Sequence, residues 1–332
     1  MKLKAVLITG LVAGNLFAGA AEPTGADSVQ PSSAPSSSPR ALKLLTIGNS
    51  FSVSLTKELP KVAKSMGFTL DYCSLFIGGC SLQRHMVNAN GKGDGKYKPT
   101  KYEISRWIDG KKVRGGKIEL KEAIALEKWD IVTLQQASGE SWKSETYHPA
   151  GDDLVKVVRE FAPQSEIVMQ ETWSYTPWDK RLKEWGFDQN AMYDKLHSAY
   201  LAFAAPYGFR IIPMGTAVQN WRKTLPVKYT ENSFGGDLCG GRHLKPGKMF
   251  VQQEGVWMPA PGEKVEGKKH LKGRCDVFHL NERGEYFQAL LWTAKLFNAD
   301  VTKCAYKPAY VTESEDALMK RVVMDTLAAS GR

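Results

Sequence analysis

From Ala41 onward the chain alternates short apolar runs with longer stretches of helical spacing, and this alternation restricts the fold more than any other feature. Residues 42–47 form the first apolar run, and four more follow in "TLDYCSLFIGG", "WDIVTLQQ", "SEIVMQETW" and "FRIIPMG". Short apolar runs separated by helices are typical of a parallel sheet with helices on both faces. The sequence therefore predicts an α/β fold, a three-layer α/β/α sandwich around a central parallel five-stranded sheet.

Apolar residues at helical spacing predict the helices of this fold. They occur at about 55–66, 151–162 and 188–206, in "EYFQALLWTAKLF" after Asn281, and at 312–329. Pro60 must lie in the first turns of the first of these helices or kink it. Residues 91–117 are rich in Gly and Lys and show no clear period, so we expect an inserted loop over one end of the sheet.

The amino-terminal 40 residues differ from the rest in composition. Residues 1–21 combine "MKLK", an apolar run and Ala18-Gly19-Ala20, the pattern of a secretory signal peptide, and 22–40 form a Ser/Pro-rich linker. We expect a folded domain over 41–300, a helical carboxyl-terminal extension over 301–332, and a periplasmic or secreted location. No later stretch is typical of a membrane helix, so stable membrane insertion is not expected.

The formal net charge of +10 comes mostly from scattered lysines, which is typical of a solvated surface. No basic run interleaved with aromatic residues occurs, so nucleic acid is not an expected partner. A small-molecule or glycan ester is expected instead, and acidic glycans would suit the charge. The oligomeric state does not follow from the sequence.

Five cysteines in an exported chain permit one or two disulfides, and Cys239–Cys275 is the preferred pair because it would pin the loop before His279. The alternative is a zinc site, since the Cys-x-x-x-His spacing occurs twice, from Cys239 to His243 and from Cys275 to His279. That site would use His279 as a ligand. The expectation is that the protein needs no metal or other cofactor.

The first apolar run stops abruptly at Gly48-Asn49-Ser50. In one interpretation Ser50 only ends a strand or caps a helix. In the other it is a nucleophile at the carboxyl end of a parallel strand, where open α/β sheets bind ligands. Asp276 and His279 lie three residues apart before the last long helix, where the histidine can accept the serine proton and the aspartate can orient the ring.

Acyl transfer also needs hydrogen-bond donors for the oxyanion. The backbone amides of Ser50 and Gly79 are candidates, because each follows one of the first two predicted strands. The third strand ends in Gln135-Gln136, and either side-chain amide can donate. If Ser50 is the nucleophile, Ser52 or Ser54 is left to cap the helix.

These blocks together resemble the GDSL/SGNH hydrolase superfamily. The order of its four conserved blocks, over about residues 42–298, is matched here by "GNS", "GGCS", "LQQASGES" and "DVFH". Five longer stretches are similar to the sequences of a bacterial subfamily without an assigned function: "IGNSFS", "WDIVTLQQAS", "ETWSY", "GTAVQNWR" and "FHLNERGEY". The resemblance implies a flavodoxin-like fold, with Ser50 as nucleophile, His279 as base, Asp276 as its orienting acid and Gly79 as an oxyanion donor.

Two positions depart from the superfamily pattern. Asn49 stands where the Gly-Asp-Ser form has Asp, and the third block lacks Gly-x-Asn-Asp, so that Gln135 or Gln136 would substitute as donor. The reaction class is unaffected by either departure.

The resulting hypothesis is an exported serine esterase that removes ester groups, O-acetyl as first choice, from a carbohydrate through an acyl-enzyme. Trp173, Arg222 and His243 are candidate substrate contacts. The alternatives are a short-chain lipid esterase or acyltransferase of the same fold, and a non-catalytic glycan-binding protein, since some of the nine tryptophans would suit sugar stacking.

Overall fold

A central sheet organises the part of the chain that the structure, a computed structural model, describes: residues 41–177, 179–225, 237–240, 250–253, 256–259 and 278–331. The predicted signal peptide and linker lie outside these ranges. The strands are β1 (Ala41–Gly48), β2 (Thr69–Phe76), β3 (Tyr102–Ile108), β4 (Lys111–Arg114), β5 (Lys117–Ile118), β6 (Ile131–Leu134), β7 (Glu166–Gln170), β8 (Arg210–Ile212), β9 (Phe250–Gln253) and β10 (Val256–Pro259). The helices are α1 (Ser50–Val53), α2 (Leu59–Ser65), α3 (Leu82–Asn90), α4 (Leu120–Ile124), α5 (Ala150–Phe161), α6 (Lys180–Trp185), α7 (Gln189–Ala204), α8 (Met214–Thr224), α9 (Glu282–Phe297) and α10 (Glu313–Ala329).

The predicted fold class is confirmed. Within the described residues, β2, β1, β6, β7 and β8 lie side by side in that order and all pair in parallel. This is the doubly wound 2-1-3-4-5 order, in which the chain reverses direction across the sheet at the first strand. The carboxyl ends of β1, β2 and β6 therefore meet at the switch point, where such folds bind ligands.

Buried apolar side chains explain why the central strands form. Leu44, Leu45 and Ile47 of β1 are almost completely buried, because helices cover both faces of a parallel sheet. Burial of each such side chain contributes about 1.5–3 kcal/mol. α2 packs on α9, which also contacts α10, while α3, α4 and α5 pack together.

Residues 91–117 differ from the expected loop. β3 runs antiparallel to β2, and β4 and β5 run antiparallel to β3, so the segment extends the sheet at one edge. The hairpin turns at Asp109-Gly110, whose φ angles of 50° and 81° are both in the left-handed region. An Asp-Gly pair with two positive φ angles is a strong hairpin signal, but lysines on the exposed edge hide the strand pattern.

Most helix predictions are confirmed to within two residues, and α9 begins directly after Asn281. The first helix is shorter than predicted, since α2 begins at Leu59 and carries Pro60 in its first turn. A separate short helix, α1, and the 3₁₀ turn Ser54–Thr56 precede it. Within the described ranges, no helix has the length and apolarity needed to cross a membrane.

A buried polar cluster attaches α10 to α9. Lys320 donates to Asp316 at 2.6 Å and to the Cys304 carbonyl at 2.7 Å. The Tyr286 hydroxyl of α9 donates to the same carboxylate at 2.7 Å. Asp316 and Lys320 are both largely buried, so each depends on the other for its charge to be balanced.

Asp316→Ala should lower the free energy of unfolding by about 3–5 kcal/mol, because it leaves the Lys320 ammonium buried without a counter-charge. Urea unfolding followed by far-ultraviolet circular dichroism measures the change. The matched control is the double variant Asp316→Leu/Lys320→Met, which removes both charges and should recover most of the loss. Equal losses in the single and double variants would contradict this interpretation of the cluster.

Candidate active site

Ser50 is the first residue of α1, directly after β1, and it is half-buried. Asn49 caps this helix: its backbone is extended and its Oδ1 accepts from the Phe51 amide at 3.0 Å. The prediction that Ser52 or Ser54 would provide the cap is wrong. Their hydroxyls instead donate to the Asn49 carbonyl and to Gln288 Oε1. Ser50 thus stands in the turn with its hydroxyl available.

His279 lies against Ser50, although 229 positions separate the two in sequence. The distance between His279 Nε2 and Ser50 Oγ is 2.8 Å. This is hydrogen-bond distance between a nucleophile and its base, with Nε2 able to accept the hydroxyl proton. Both side chains lie beyond the carboxyl end of β1, at the switch point of the sheet.

Backbone hydrogen bonds at His279 and just after it fix its position. The Gly240 amide donates to the His279 carbonyl at 2.8 Å, and the Asn281 amide donates to the Leu238 carbonyl at 2.9 Å. These bonds form a short antiparallel bridge between residues 237–240 and the segment that begins α9. Gly284 permits the close approach, since a Cβ there would lie 2.3 Å from the Leu238 carbonyl oxygen.

Trp173 also holds this segment, which corrects its assignment as a substrate contact. It is 1% exposed, and its indole Nε1 donates to the Phe278 carbonyl at 2.7 Å. Its ring stacks on Phe51 of α1 with a centroid distance of 4.0 Å. Trp173 therefore connects the helix that bears the nucleophile to the residue before the base.

Arg222 is likewise a structural residue. It is buried, and its guanidinium pairs with the Asp237 carboxylate at 3.2–3.3 Å and donates to Ser174 Oγ at 2.8 Å. Asp237 begins the short segment that pairs with the backbone of His279. The arginine predicted as a substrate contact thus stabilises the segment that holds the base.

Three sequence predictions fall outside the described residues: Asp276 as the orienting acid, His243 as a substrate contact, and Cys275 as the disulfide partner of Cys239. The zinc alternative shares two of these residues, His243 and Cys275. Of its other two members, Cys239 lies in the bridge with Leu280 and His279 directs Nε2 at Ser50. Among the described side chains, no group of three or more His, Cys, Asp or Glu is arranged to hold a metal ion.

The loop that carries Gly79 is attached to the turn of Ser50. Asn49 Nδ2 donates to the Cys80 carbonyl at 3.0 Å, which ties the end of β2 to the end of β1. Gly79 is exposed and has a φ of 60°, a conformation that glycine adopts without strain. Neither its amide nor the Ser50 amide donates to another described residue. Both amides therefore remain candidates for oxyanion donors.

The two glutamines after β6 have different roles. Gln135 is buried, and its Nε2 donates to Asn49 Oδ1 at 2.6 Å, which leaves one N–H for a further acceptor. Gln136 uses its whole amide: Oε1 accepts from the Leu82 and Ala137 amides, and Nε2 donates to the carbonyl and hydroxyl of Thr146. Gln136 therefore fixes the start of α3 behind Gly79, and the expectation that it donates to an oxyanion is wrong.

Cys80 and His85 lie behind the Gly79 loop, and neither side chain is charged at neutral pH. Burial raises the pKa of the Cys80 thiol to about 12, so it is not a nucleophile at neutral pH. Burial lowers the pKa of His85 to about 3, so its ring is neutral. His85 Nδ1 lies 2.6 Å from the Tyr102 hydroxyl, within a buried polar cluster on α3 and β3.

Comparison with known proteins assigns the chain to a family. The family model described as "Domain of unknown function (DUF4886)" matches residues 43–245, which is more than half of the chain. The chain therefore belongs to the DUF4886 family. No curated protein matches it.

Among solved structures, a DUF4886 family protein from Bacteroides uniformis is similar to this one, with 26% identity and a TM-score of 0.68 over 88% of this chain and 96% of that one. A candidate SGNH hydrolase from Slackia heliotrinireducens matches with 19% identity and a TM-score of 0.40, over 59% of this chain and 89% of its own. A candidate GDSL-like lipase from Parabacteroides merdae matches with 11% identity and a TM-score of 0.44, over 77% and 95%. The last two likenesses are too distant to inform on function.

Sequence reasoning missed the two glutamines that hold α1 of this DUF4886 protein. Gln170 and Gln288 both donate to the Phe51 carbonyl, at 2.8 and 2.9 Å, from the end of β7 and from α9. They satisfy a carbonyl of a four-residue helix that is too short to be stable alone. The sequence did contain a signal for each: Gln170 is a polar residue at the end of a buried strand, and Gln288 is a polar residue in the middle of a buried helix.

Asn49→Asp should cost about 1–2 kcal/mol of unfolding free energy in the DUF4886 protein, and Asn49→Ala about 3 kcal/mol. Aspartate keeps the cap acceptor for Phe51 but loses the donor to the buried Cys80 carbonyl, whereas alanine loses both. Urea unfolding at pH 8 measures both. Asn90, an exposed residue of α3, is the control: Asn90→Asp and Asn90→Ala should each stay within about 0.5 kcal/mol of wild type. Equal stability of wild type and Asn49→Ala would contradict the role of Asn49.

Proposed function

We propose that this DUF4886 protein is a serine hydrolase of the GDSL/SGNH type that cleaves carboxylic esters. The observation that carries the proposal is the 2.8 Å distance between Ser50 Oγ and His279 Nε2 at the carboxyl end of β1. A serine that merely ended a strand would need no base held against it. Here Trp173 and the 237–240 segment both hold the backbone that carries the imidazole.

The proposed reaction proceeds through an acyl-enzyme. His279 Nε2 takes the Ser50 proton while Oγ attacks the ester carbonyl carbon, and the amides of Ser50 and Gly79 stabilise the oxyanion. The second N–H of Gln135 is the candidate third donor. His279 then gives the proton to the leaving alkoxide, so the alcohol departs neutral. A water molecule, deprotonated by His279, attacks the acyl-enzyme and releases the acid and free Ser50.

Asp276 is proposed as the acid that orients His279, on the basis of its sequence position and the resemblance to the superfamily. Its carboxylate would accept from Nδ1 and so leave Nε2 unprotonated toward Ser50. It would also stabilise the imidazolium that forms during the attack.

The proposed substrate is an O-acylated glycan, with O-acetyl as the group removed. The signal-peptide pattern of residues 1–21 supports export to the periplasm or beyond, where such glycans occur. The basic surface suits acidic members of this class. An intact Ser50–His279 pair favours an enzyme over a glycan-binding protein without activity, since loss of either member would suffice to abolish turnover.

Purified protein should hydrolyse p-nitrophenyl acetate, and Ser50→Ala should lower kcat by about 10³-fold or more, because no other side chain replaces the nucleophile. Ser144→Ala, at an exposed serine of a 3₁₀ turn, is the matched control and should retain wild-type turnover. Wild-type activity in Ser50→Ala would contradict the proposal.

An acyl-length series from acetate through butyrate to octanoate tests the acyl preference in the same assay. The proposal predicts the highest kcat/KM for acetate, followed by acetate release from O-acetylated oligosaccharides. A maximum at octanoate would favour a lipid esterase and contradict the proposed substrate.

A further inference from the structure

A cluster of aromatic rings adjoins the imidazole of His279. Its members lie on different loops and helices at the carboxyl edge of the sheet: after β6, after β7, at the end of α6, and directly before His279. We refer to this cluster as the aromatic shelf; it consists of Trp142, Tyr175, Trp185, Phe187 and Phe278.

The rings form a continuous series that begins at the base. Phe278 lies 4.1 Å from the His279 ring and 5.2 Å from Tyr175, between ring centroids. Tyr175 lies 5.7 Å from Trp185, which in turn lies 5.3 Å from Trp142. Phe187 closes the far end at 4.8 Å from Trp142. The five rings therefore form one connected series that leads from the His279 imidazole to Phe187.

The shelf is partly open to solvent. Tyr175 is 1% exposed and lies at the buried bottom of the shelf, whereas the other four members are half-buried. Arg181 stacks on Tyr175 and Phe278, at 4.1 and 4.4 Å from the ring centroids, and its charge is paired with Asp179. Lysines lie over two further rings, with Lys143 Nζ 4.9 Å from the Trp142 centroid and Lys195 Nζ 5.8 Å from the Phe187 centroid. The shelf is therefore a set of partly open rings with a rim of basic side chains.

The direction of the proton transfer decides which half of an ester reaches the shelf. In the proposed mechanism His279 donates its proton to the leaving oxygen, so the alcohol half must lie beside Nε2. The carbonyl oxygen points instead toward the amides of Ser50 and Gly79. Phe278 packs against the ring that donates this proton, at 4.1 Å between ring centroids, so the shelf begins beside the group that must reach the alcohol half.

We propose that the aromatic shelf is a subsite that binds a pyranose ring of the glycan from which the acyl group is removed. Half-buried aromatic faces with a polar rim suit a sugar, whose C–H face is apolar and whose edge carries hydroxyls. A long acyl chain would call for a deep apolar pocket. This inference rests on the proposed function, since the acyl-enzyme mechanism orients the substrate.

Calorimetric titration tests the subsite without turnover. Ser50→Ala protein is titrated with O-acetylated xylo-, manno- and chito-oligosaccharides, and binding of at least one is expected. Adding Trp185→Ala should weaken that binding about three- to tenfold, because a stacked ring contributes on the order of 1 kcal/mol. Phe187→Ala is a second variant with the same expectation, in case Trp185→Ala does not fold. Binding to none of the three probes, or unchanged affinity in both variants, would overturn the proposal.

Kinetics in the catalytically intact protein separate the subsite from the reaction itself. Trp185→Ala should lower the ratio of kcat/KM for the bound oligosaccharide to that for p-nitrophenyl acetate about three- to tenfold. The matched control is Trp107→Ala, a half-buried tryptophan of β3 stacked on Tyr72, which should leave the ratio within about twofold. An equal loss on both substrates would show that the shelf only supports the catalytic residues. Absence of turnover on every ester in the wild type would contradict the proposed function, whereas the titration would still test the shelf.

Discussion

The Asn49 side chain joins the three strand ends on which the site depends. Its Oδ1 accepts from the Phe51 amide and from Gln135 after β6, and its Nδ2 donates to the Cys80 carbonyl after β2. Because all three bonds are buried, losing any of them leaves a polar group without a partner in an apolar surrounding. One short amide therefore fixes the turn that presents Ser50, the loop of Gly79 and the end of the third parallel strand relative to one another.

The second requirement is to bring His279 to this turn from the far end of the chain. Closing so long a segment costs conformational entropy, and several independent contacts offset it. Trp173 binds the carbonyl before the histidine, Gly240 binds the carbonyl of the histidine itself, and Arg222 holds the partner segment through Asp237. None of these groups needs to contact a substrate. They hold the imidazole in the orientation that gives the 2.8 Å contact to Ser50, so little conformational entropy is lost when the contact forms.

The parallel strands were predictable because their apolar runs are continuous, and α9 because Asn281 gives a clear start to a long helical pattern. The Ser50 turn also followed from position alone, since a polar tripeptide ended a buried strand. The functions of Gln136, Trp173 and Arg222 did not follow, because a side chain that can form hydrogen bonds can equally face a substrate or satisfy another group of the protein. Only the three-dimensional contacts decide between the two. The β3–β4 hairpin was missed because exposed lysines mask its alternation, although Asp109-Gly110 marked the turn.

The central claim is that His279 activates Ser50 as a nucleophile, and covalent labelling measures this directly. A fluorophosphonate probe transfers its phosphonyl group to an activated serine with loss of fluoride, and peptide mass spectrometry locates the adduct. We expect a single adduct on Ser50, labelling slowed by several orders of magnitude in His279→Ala, and none at that position in Ser50→Ala. No adduct on Ser50 in the wild type, or labelling of His279→Ala at the wild-type rate, would contradict the claim.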